Sequence, residues 1–431
     1  MSHATQTKTN VIAELEQRGL IHQMTESNLA EAAAAQKLYV YCGFDPTAPS
    51  LHIGNVVPIM ALAHFQRHGH HPILLAGGGT GMIGDPSGKS TERPLLSAEQ
   101  VAENTARIRD QLAGFLSFEG ENAATLVNNA DWLGKISMIE YLRDIGKHFS
   151  VNAMLAKESV KARLENREQG ISYTEFSYMI VQATDYLHLF DAMGCTVQIG
   201  GSDQWGNLIS GVELIRRARG AHVHAMTAPL ITTATGAKFG KSEGNALYLD
   251  PTMTTPYQMY QYWINVDDRD VAHYLRVFTF ISLEEIETLM REQEADPGKR
   301  VAQKRLAFEI TKLVHGETTA RAVAAASSVL FGGSVTELTP EALSHLAGAV
   351  PTTTISPDAL AAGLPILEAL VASGAQPSRG AARRLMQQGG LYVNDARWND
   401  PERAIIAEDA LFGRAVLLRS GKNKYTLLLV G

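Results

Sequence analysis

The sequence predicts an α/β protein whose first half is a parallel sheet covered by helices on both faces. Apolar runs that fit buried strands alternate with amphipathic helical patterns through the first 250 residues. This alternation is typical of parallel sheets, because each crossover between neighbouring strands places a helix on a face of the sheet. After Asp250-Pro251 the helical patterns stand alone, and short strands return only towards the C-terminus.

The strands and helices of the first half follow from the period of the apolar residues. Strands are expected where apolar runs have strand length, at 38–44, 72–76 and 195–199. Helices are expected where apolar residues recur at helical spacing, at 10–19, 55–69, 98–116, 137–149, 154–168, 173–190 and 204–220.

The change of pattern along the chain predicts four parts. A parallel-sheet domain is expected over residues 1–250 and an α-helical domain over 251–335, where no strand pattern occurs. Residues 336–365 are rich in Thr, Ala, Pro and Ser, and this composition favours a linker. A small α+β domain is expected over 366–431, where helical and strand patterns both return.

The composition is that of a soluble globular protein. Apolar residues make up 45% and charged residues 19% of the chain. No run of about 18 apolar residues occurs, which argues against a membrane-spanning helix, and residues 1–14 lack the apolar stretch of a secretory signal. Cys42 and Cys195 lie far apart in the sequence, which disfavours a disulfide framework and favours a reducing cytoplasm.

Charge is unevenly distributed along the chain. The net charge of −7 alone disfavours a nucleic-acid partner. Residues 374–431, however, contain 9 Lys and Arg against 5 Asp and Glu, a local charge of +4. A basic C-terminal part on an acidic body suits an RNA-contacting module on an enzyme, although ordinary scatter of surface charge gives the same balance.

Two glycine-rich patterns imitate nucleotide-binding loops. Residues 79–84 fit G-x-G-x-x-G after a predicted strand, yet Asp85-Pro86-Ser87-Gly88 continues the loop where a dinucleotide site needs a helix. Residues 84–90 imitate a P-loop, but Ile83 stands where the first glycine belongs. Neither a nicotinamide or flavin site nor a P-loop is therefore expected here.

Four histidines, His64, His68, His70 and His71, lie close together and suggest a metal site. No carboxylate or cysteine cluster accompanies them in the sequence, as a protein metal site would require. Solvated histidines at a helix end are the simpler interpretation, and no resident metal is expected.

Two short segments carry side chains suited to a nucleotide. His52-Ile53-Gly54-Asn55 stands at a predicted helix start, where backbone N–H groups and the helix dipole favour an anion and Gly54 leaves room for a ring. Lys238-Phe239-Gly240-Lys241-Ser242 places two lysines three residues apart on a glycine-bearing loop, where they could stabilise a leaving pyrophosphate. Taken singly, a capping turn and a solvated basic turn explain the two segments equally well.

Together and in this order, the two segments resemble the HIGH and KMSKS signatures of class I aminoacyl-tRNA synthetases. Further segments resemble the tyrosyl family of bacteria in particular, at 41–47, 84–89, 178–185 and 198–207. The resemblance covers nearly the whole chain. It implies a Rossmann-like catalytic domain over residues 1–250, an anticodon-side helical domain, and activation of L-tyrosine by ATP before transfer to the 3′ end of tRNA(Tyr).

A tyrosine pocket must admit a ring, hold an ammonium group and test for a phenol hydroxyl. Tyr178, Gln182 and Asp185 share one face of a predicted helix. Asp185 can accept from a phenol and Tyr41 can bind the same oxygen, so phenylalanine would leave these groups unpaired, a discrimination for which this enzyme family is a standard example. By resemblance, the substrate ammonium is bound by Asp85, Tyr178 and Gln182, with Gln198 nearby.

The resemblance also implies roles around ATP, which is expected to bind with Mg²⁺. The catalytic residues would be His52, Asn55, Thr47, Lys89, Arg93, Lys238 and Lys241, of which His52 and Thr47 contact phosphates and the four cations close over the pyrophosphate. The ATP-binding residues would be Gly43, Asp45, His52, Gly54, Asp203, Gln204 and Lys241.

Two residues depart from the signatures. Asn55 stands where the first signature ends in histidine, which puts the ribose contact in doubt although asparagine can still donate a hydrogen bond. Gly240 stands in place of serine in the second signature, which loosens the loop but leaves both lysines.

The C-terminal part carries a basic helical pattern. Ser378 is a suitable N-cap for a helix that ends at Gly389-Gly390, and strands are expected at 415–418 and 425–430. This part resembles the RNA-binding module of a small-subunit ribosomal protein, which implies RNA contacts by a basic helix face. The face comprises Arg379 and Arg383, with Arg384 beside them; a solvated arginine-rich helix is the alternative.

Three functions remain open from the residues. The first is a tyrosine–tRNA ligase, which the resemblance expects to be a cytoplasmic homodimer. The second keeps the fold but takes tryptophan, although Tyr41 with Asp185 favours a phenol over an indole. The third is a non-catalytic RNA-binding relative, against which the lysines at 238 and 241 argue.

Overall fold

The computed structural model describes residues 10–25, 28–87, 97–157, 160–161, 164, 171–234, 236, 239, 241–242 and 245–431. The chain divides into two compact units. The first comprises the described residues up to Thr254 together with Val266–Leu306, and the second comprises Thr255–Asn265 together with Ala307–Gly431. Within the described part of the chain, no helix is both long and apolar enough to cross a membrane.

The strands are short, as the predicted apolar runs suggested. Those of the first unit are β1 (Gln23–Met24), β2 (Tyr39–Phe44), β3 (His71–Ala76), β4 (Thr125–Asn128), β5 (Cys195–Gly201), β6 (His224–Ala228), β7 (Lys241–Ser242) and β8 (Asn245–Ala246). Those of the second unit are β9 (Thr352–Ile355), β10 (Leu364–Pro365), β11 (Leu391–Val393), β12 (Ala396–Arg397), β13 (Ala404–Ile405), β14 (Ala415–Ser420) and β15 (Lys424–Val430).

The helices lie between and after these strands. Up to residue 219 they are α1 (Val11–Arg18), α2 (Leu29–Ala35), α3 (Ile53–Arg67), α4 (Ala98–Leu112), α5 (Ala130–Leu133), α6 (Met138–Glu140), α7 (Val151–Leu155), α8 (Tyr173–Met193) and α9 (Trp205–Arg219). The later ones are α10 (Pro256–Ile264), α11 (Asp268–Phe278), α12 (Leu283–Ala295), α13 (Val301–His315), α14 (Glu317–Leu330), α15 (Pro340–Ala347), α16 (Pro357–Ala361), α17 (Ile366–Ala372) and α18 (Arg379–Gln387).

The sheet of the first unit confirms the predicted α/β class. Its strand order is β1-β6-β5-β2-β3-β4, and all neighbours are parallel except β1, which is antiparallel to β6. β2 and β5 are adjacent, so the strand order reverses between them. Ligands of such sheets bind at this reversal, beyond the carboxyl ends of the strands. The fold therefore places a site where the chain leaves β2 and β5.

The helix that supplies the predicted pocket begins and ends at clear signals. Ser172 is the N-cap of α8, because its hydroxyl accepts the Glu175 N–H at 3.2 Å. The helix ends at Gly194, whose φ of +69° suits glycine. Its buried face belongs to the core between the sheet and α9, which fixes its rotation and therefore the direction of its polar residues.

Several elements differ from the sequence-based expectations. The single helix expected at 137–149 is instead α6, a π-helical turn at Tyr141–Ile145 and a 3₁₀ turn at Gly146–His148. Gly146 weakens a continuous helix there. β4 and β6 were missed because they are too short to show a period, and most of the helix expected at 154–168 lies outside the described residues.

Residues 336–365 do not form the irregular linker that their composition predicted. Thr339 and Ser356 are N-caps, and a proline follows each of them at the first helical position of α15 and α16. The threonine run forms β9, which pairs in parallel with β15. The same Thr, Ser and Pro residues that suggested a linker are therefore helix starts and a strand. The limits predicted for the other three domains stay a prediction.

The sheet of the second unit is buried on both faces. Its order is β12-β11-β14-β15-β9. One face packs on α17 and α18, through residues such as Leu391 and Val416. The other face packs on α14 and α15, through residues such as Leu417 and Leu427. The C-terminal sheet thus lies between two apolar clusters, one on each of its faces.

Candidate active site

The segment His52–Asn55 caps the N-terminus of α3 with two reciprocal hydrogen bonds. His52 Nδ1 accepts the Gly54 N–H at 3.1 Å, and Asn55 Oδ1 accepts the His52 N–H at 3.0 Å. This reciprocal capping box satisfies backbone donors at the helix start. It also orients the Asn55 amide, because the oxygen is directed at the backbone and the Nδ2 group is left to donate elsewhere. A Cβ on Gly54 would lie 3.0 Å from the His52 ring, so a side chain there would disturb the cap.

Asp45, on the turn after β2, joins two other elements. Its Oδ2 accepts from the Tyr178 hydroxyl of α8 at 2.6 Å, and its Oδ1 accepts from the Thr80 hydroxyl of the loop after β3 at 2.6 Å. Burial, followed by the charge of Asp45, raises the pKa of Tyr178 well above its ordinary value, so the phenol remains a donor. Asp45 and Tyr178, predicted to contact different substrates, are therefore in direct contact with each other.

Asp185 is a buried carboxylate held by two donors. Its Oδ2 accepts from Asn129 Nδ2 at 2.9 Å, and its Oδ1 accepts from Trp132 Nε1 at 2.8 Å. Burial raises the pKa of Asp185 to about 7, although both hydrogen bonds lower it. The Trp132 ring is stacked on His188 at 4.3 Å between centroids. The two donors fix the Asp185 carboxylate in place. Because each carboxylate oxygen has two lone pairs, it can still accept another hydrogen bond.

Two buried polar atoms face the same side of the sheet without a partner among the described residues. They are the Tyr41 hydroxyl and Gln198 Oε1, on side chains that are 1% and 2% exposed. Tyr41 and Gln198 are register partners in the parallel pair β2 and β5. After burial, the charge of Asp185 is the largest cause of the raised pKa of Tyr41, which places the two groups within electrostatic range. An unpaired buried polar group is costly, so this arrangement fits a polar ligand that completes it.

Asp85 organises a second polar cluster at the end of β5. Gln204 Nε2 donates to Asp85 Oδ2 at 2.6 Å, and the Ser87 N–H donates to Asp85 Oδ1 at 2.9 Å. Asn207 Nδ2 lies 3.1 Å from Gln204 Oε1 and 3.2 Å from the Ser87 hydroxyl, donating to both. Asp203 and Gln204 lie in a 3₁₀ turn directly after β5. A carboxylate in this position suits an ammonium group.

The glycines after β3 serve close packing. A Cβ on Gly77 would lie 2.1 Å from Asp45 Oδ1, and a Cβ on Gly78 would lie 2.2 Å from Asn128 Oδ1. The chain continues into a 3₁₀ turn at Thr80–Met82 instead of an α-helix. This agrees with the rejection of a dinucleotide loop, because no helix N-terminus follows directly. The glycines instead allow Asp45 and Asn128 to approach the backbone.

The structure brings many of the predicted site residues to this edge of the first unit. Gly43 and Thr47 lie on the exposed end of β2 and on the turn that follows it, and Gln182 lies between Tyr178 and Asp185 on α8. Three of the predicted cations, Lys89, Arg93 and Lys238, are outside the described residues. Lys241 lies in β7, antiparallel to β8, and only its backbone is described.

Sequence reasoning missed four polar residues of the site. Asn129 and Trp132 hold Asp185, Thr80 holds Asp45, and Asn207 contacts the Asp85 cluster. Asn129 also accepts the Gly79 N–H at 2.7 Å and donates to the Thr80 hydroxyl at 2.9 Å. The available signal was Asn128-Asn129 at the carboxyl end of β4, but that strand was not predicted.

The histidines near α3 are not the solvated group that the sequence suggested. His64 and His70 are 1% and 4% exposed. His64 Nδ1 and His68 Nε2 lie 3.3 Å and 3.2 Å from the carboxylate of Glu14, and His70 Nδ1 accepts the Leu38 N–H. Burial lowers the pKa of His70 to about 4, so it is a neutral acceptor. Within the described part of the chain, no three His, Cys, Asp or Glu residues are grouped so as to hold a metal ion.

The basic helix predicted in the C-terminal part is α18. Ser378 is its N-cap, as expected. Arg379 pairs with Glu368 at 2.6 Å and Arg383 with Glu402 at 3.3 Å, while all three arginines are exposed. Exposed pairs of this kind contribute little to stability. The arginines are therefore available to an anionic partner that can compete for them.

A parallel sheet with a capped HIGH-like helix start at its strand-order reversal defines a class I aminoacyl-tRNA synthetase. A family model for "tRNA synthetases class I (W and Y)" matches residues 33–332, and one for the "Tyrosine--tRNA ligase SYY-like C-terminal domain" matches residues 342–428. The chain belongs to the tyrosine--tRNA ligase family within this class, because relatives with that name align with nearly its whole length.

Two such relatives show the extent of the similarity. The tyrosine--tRNA ligase of Opitutus terrae is 49% identical, over 97% of this chain and 99% of the relative. That of Anaeromyxobacter dehalogenans is 50% identical, over 98% of this chain and 99% of the relative. The C-terminally truncated mitochondrial tyrosyl-tRNA synthetase of Aspergillus nidulans is a similar solved structure, with a TM-score of 0.69 and 34% identity, covering 76% of this chain and 95% of that chain.

Proposed function

We propose that this chain activates L-tyrosine with ATP and transfers the tyrosyl group to tRNA(Tyr). The observation that carries this proposal is the buried Tyr41 hydroxyl, which has no partner among the described residues and lies within electrostatic range of the carboxylate of Asp185. A phenol that donates to Asp185 and accepts from Tyr41 would satisfy the hydrogen-bonding capacity of both groups. Phenylalanine would leave them buried and unpaired, which is how such a site rejects it.

The opposite end of tyrosine is assigned to the polar residues on and near α8. Asp85 supplies the negative charge for the ammonium group, and Tyr178, Gln182 and Gln198 supply hydrogen-bonding groups. Asp85 is held by Gln204 and by the Ser87 N–H, so its carboxylate is already oriented. Preorganised charge lowers the cost of binding, since less conformational freedom is lost on association.

ATP is assigned to the rim formed by β2, the cap of α3 and the turn after β5. Backbone N–H groups at the start of α3 favour phosphate, and Asn55 Nδ2 is oriented to donate to a ribose oxygen. Mg²⁺ would enter with the phosphates of ATP. The residues proposed for this rim are Gly43, Asp45, Thr47, His52, Gly54, Asn55, Asp203 and Gln204.

The reaction needs charge stabilisation and positioning, because the tyrosine carboxylate itself attacks the α-phosphorus. As pyrophosphate leaves, negative charge grows on its oxygens. We assign Lys89, Arg93, Lys238 and Lys241 to that charge on the basis of the family. The adenylate then loses AMP when a ribose hydroxyl of the tRNA attacks the tyrosyl carbonyl.

We propose that the second unit binds tRNA, with Arg379, Arg383 and Arg384 of α18 contacting phosphates.

We also propose that the protein forms a homodimer. Exposed apolar side chains are concentrated between residues 138 and 173, which suits a self-association surface; they are Met138, Ile139, Leu142, Val151, Leu155, Leu164 and Tyr173. We propose a cytoplasmic location for the protein, which agrees with the free, buried thiols of Cys42 and Cys195.

The test is amino-acid-dependent exchange of labelled pyrophosphate into ATP. Tyrosine should support exchange, whereas tryptophan and phenylalanine should not. Tyr41→Phe should reduce the ratio of kcat/KM for tyrosine over phenylalanine by roughly 10-fold, the value of one lost hydrogen bond. It should raise the thermal midpoint of the free chain, because it removes a buried hydroxyl that has no partner among the described residues.

The matched control is Tyr186→Phe, because the Tyr186 hydroxyl is equally buried but donates to the His224 carbonyl at 2.8 Å. That variant should lower stability and leave the ratio for the two amino acids unchanged. Exchange with tryptophan in place of tyrosine would overturn the substrate assignment. Absence of exchange with any amino acid would favour a non-catalytic RNA-binding protein.

A further inference from the structure

The second signature segment contains a buried aromatic side chain. Phe239, between Lys238 and Lys241, is 7% exposed. Its ring centroid lies 5.1 Å from that of Phe278 at an interplanar angle of 21°, and 5.1 Å from that of Tyr274 at 53°. Gly236 and Gly240 flank Phe239 in the sequence and contribute no side chain. The packing of this ring can therefore fix the backbone of Phe239 to the rest of the first unit.

The platform under Phe239 is the buried face of α11. Tyr274 and Phe278 are each 1% exposed. The same helix also holds the chain that leads into the segment. The Tyr274 hydroxyl donates to the Thr232 carbonyl at 3.5 Å, and Asp270 Oδ2 accepts the Ala234 N–H at 3.0 Å. Three successive points of the chain are therefore attached to one helix.

The end of α11 is in turn bonded to α1. The Arg18 guanidinium, which is buried, donates to the carbonyls of Arg276, Thr279 and Ile281 at 3.3, 3.2 and 3.0 Å. Arg18 also donates to Glu14 at 2.8 Å. Carbonyls at a helix end and just after it need hydrogen-bond donors. The single planar guanidinium of Arg18 donates to three such carbonyls.

The same junction reaches α3, which begins at His52. Glu14 contacts His64 of α3 at 3.3 Å. The Phe280 ring, just after α11, is 5.3 Å from the His64 ring and lies under the Arg67 guanidinium at 4.5 Å. Because α3 and α11 are joined through these side chains, the cap at His52 and the platform under Phe239 are linked by one connected set of contacts.

We propose that Phe239 is a positioning residue for the activation step, which anchors the backbone between Lys238 and Lys241 to α11. It touches no substrate. It acts by reducing the conformations open to the two lysines, so that they meet the pyrophosphate charge in a fixed arrangement. An interaction that stabilises charge only in the transition state changes kcat more than it changes substrate binding. This inference rests on the proposed function.

The experiment is pyrophosphate exchange by the full chain carrying Phe239→Ala. Misplacement of a catalytic group by about 1 Å costs roughly 100-fold in rate, so kcat should fall between about 10-fold and 100-fold. The KM for tyrosine should stay within about twofold, because the tyrosine pocket is formed by other elements. Phe239→Leu, which restores an apolar anchor, should recover most of the lost rate.

The matched control is Phe115→Ala, which removes a ring of similar burial, 6% exposed, that lies outside the signature segment and outside these contacts. It should lower the thermal midpoint at least as much as Phe239→Ala and leave kcat near the unmodified value. Equal kcat for Phe239→Ala and the unmodified chain would overturn the inference. So would a parallel loss of kcat, tyrosine binding and stability in both alanine variants. If the unmodified chain shows no exchange, the proposed function itself fails.

Discussion

At the scale of single residues, the site depends on polar groups that are buried before any substrate arrives. Asp185 is the clearest case, since burial raises its pKa to about 7 despite two good donors. Tyr41 and Gln198 remain unpaired at its side of the sheet. Such groups lower the stability of the free protein and are retained where a ligand completes them. In the proposed function, part of the binding free energy of tyrosine would come from relieving this cost.

The raised pKa of Asp185 makes a prediction for stability. Its ordinary value is 3.8. Because the folded form holds its proton up to about pH 7, this group favours folding below pH 4 and loses that contribution as the pH rises to 7. Asp185→Asn, which cannot ionise, should therefore unfold at higher temperature than the unmodified chain at pH 8. At pH 5 the difference in midpoint should be much smaller.

The same substitution should act in the opposite direction on activity. An amide cannot offer the phenol a charged acceptor, so kcat/KM for tyrosine should fall by roughly 10-fold to 100-fold at pH 8. Thermal unfolding and pyrophosphate exchange on the same preparation check both parts. The assigned protonation would be contradicted if the midpoint of the variant minus that of the unmodified chain were lower at pH 8 than at pH 5.

At the scale of elements, we propose that one side chain at the start of α3 combines a structural and a functional role. Asn55 Oδ1 completes the capping box, and its Nδ2 group is the donor that we assign to the nucleotide. Asn55→Asp keeps the acceptor and removes the donor. We expect it to retain stability, since a negative charge suits a helix N-terminus, while kcat/KM for ATP falls because a carboxylate repels phosphate.

Asn55→Ala separates the two roles. It removes the cap as well as the donor, so the free energy of unfolding should fall by about 1 kcal/mol, with a similar or smaller loss in kcat/KM. Denaturant unfolding and ATP-dependent exchange measure the two effects. If both variants retained full activity, Asn55 would be a cap alone and the ribose contact would need another donor.

Helices and strands could be predicted where their apolar residues recur with a clear period in the sequence. The predicted helix 173–190 is observed as Tyr173–Met193, because a long buried face with an N-cap and a terminal glycine leaves little ambiguity. β4 has one exposed and three half-buried residues with no alternation, so it was missed, and Asn129 and Trp132 were missed with it. The nucleotide side that the paired signatures indicated stays a prediction. The hydrogen bonds that orient Asp45 and Asp185 join residues 35 to 133 positions apart and could not be read from local patterns.

At the scale of the whole molecule, the second unit contains more than a module on a flexible connection. The sheet formed by β9, β11, β12, β14 and β15 has an apolar core on each face. The composition of residues 336–365 suggested a linker because Thr, Ser and Pro are common in loops, but in this chain they cap helices and form the edge strand β9. The basic helix α18 therefore packs on one face of the same sheet whose other face packs on α14 and α15.

This arrangement decides where the chain can be shortened. Removing everything after Gly374 would take away β11 to β15 while leaving α15 and β9 without the sheet on which they pack. That truncation should aggregate or unfold in its second unit. Truncation after Gly333 removes the sheet together with α15, and the face left on α14 carries mainly small residues, Ala322 and Ala326 with Val329. It should stay monodisperse in size-exclusion chromatography.

The shorter chain ending at Gly333 should retain tyrosine-dependent pyrophosphate exchange, because the residues assigned to activation all precede Thr254, in the first unit. The C-terminally truncated Aspergillus relative, solved as a crystal structure, supports folding without the C-terminal part. Charging of tRNA should fall strongly, and its dependence on salt should weaken, since the phosphate contacts assigned to α18 are lost. Charging at the unmodified rate by the shorter chain would refute the RNA-binding role of the C-terminal sheet and its basic helix.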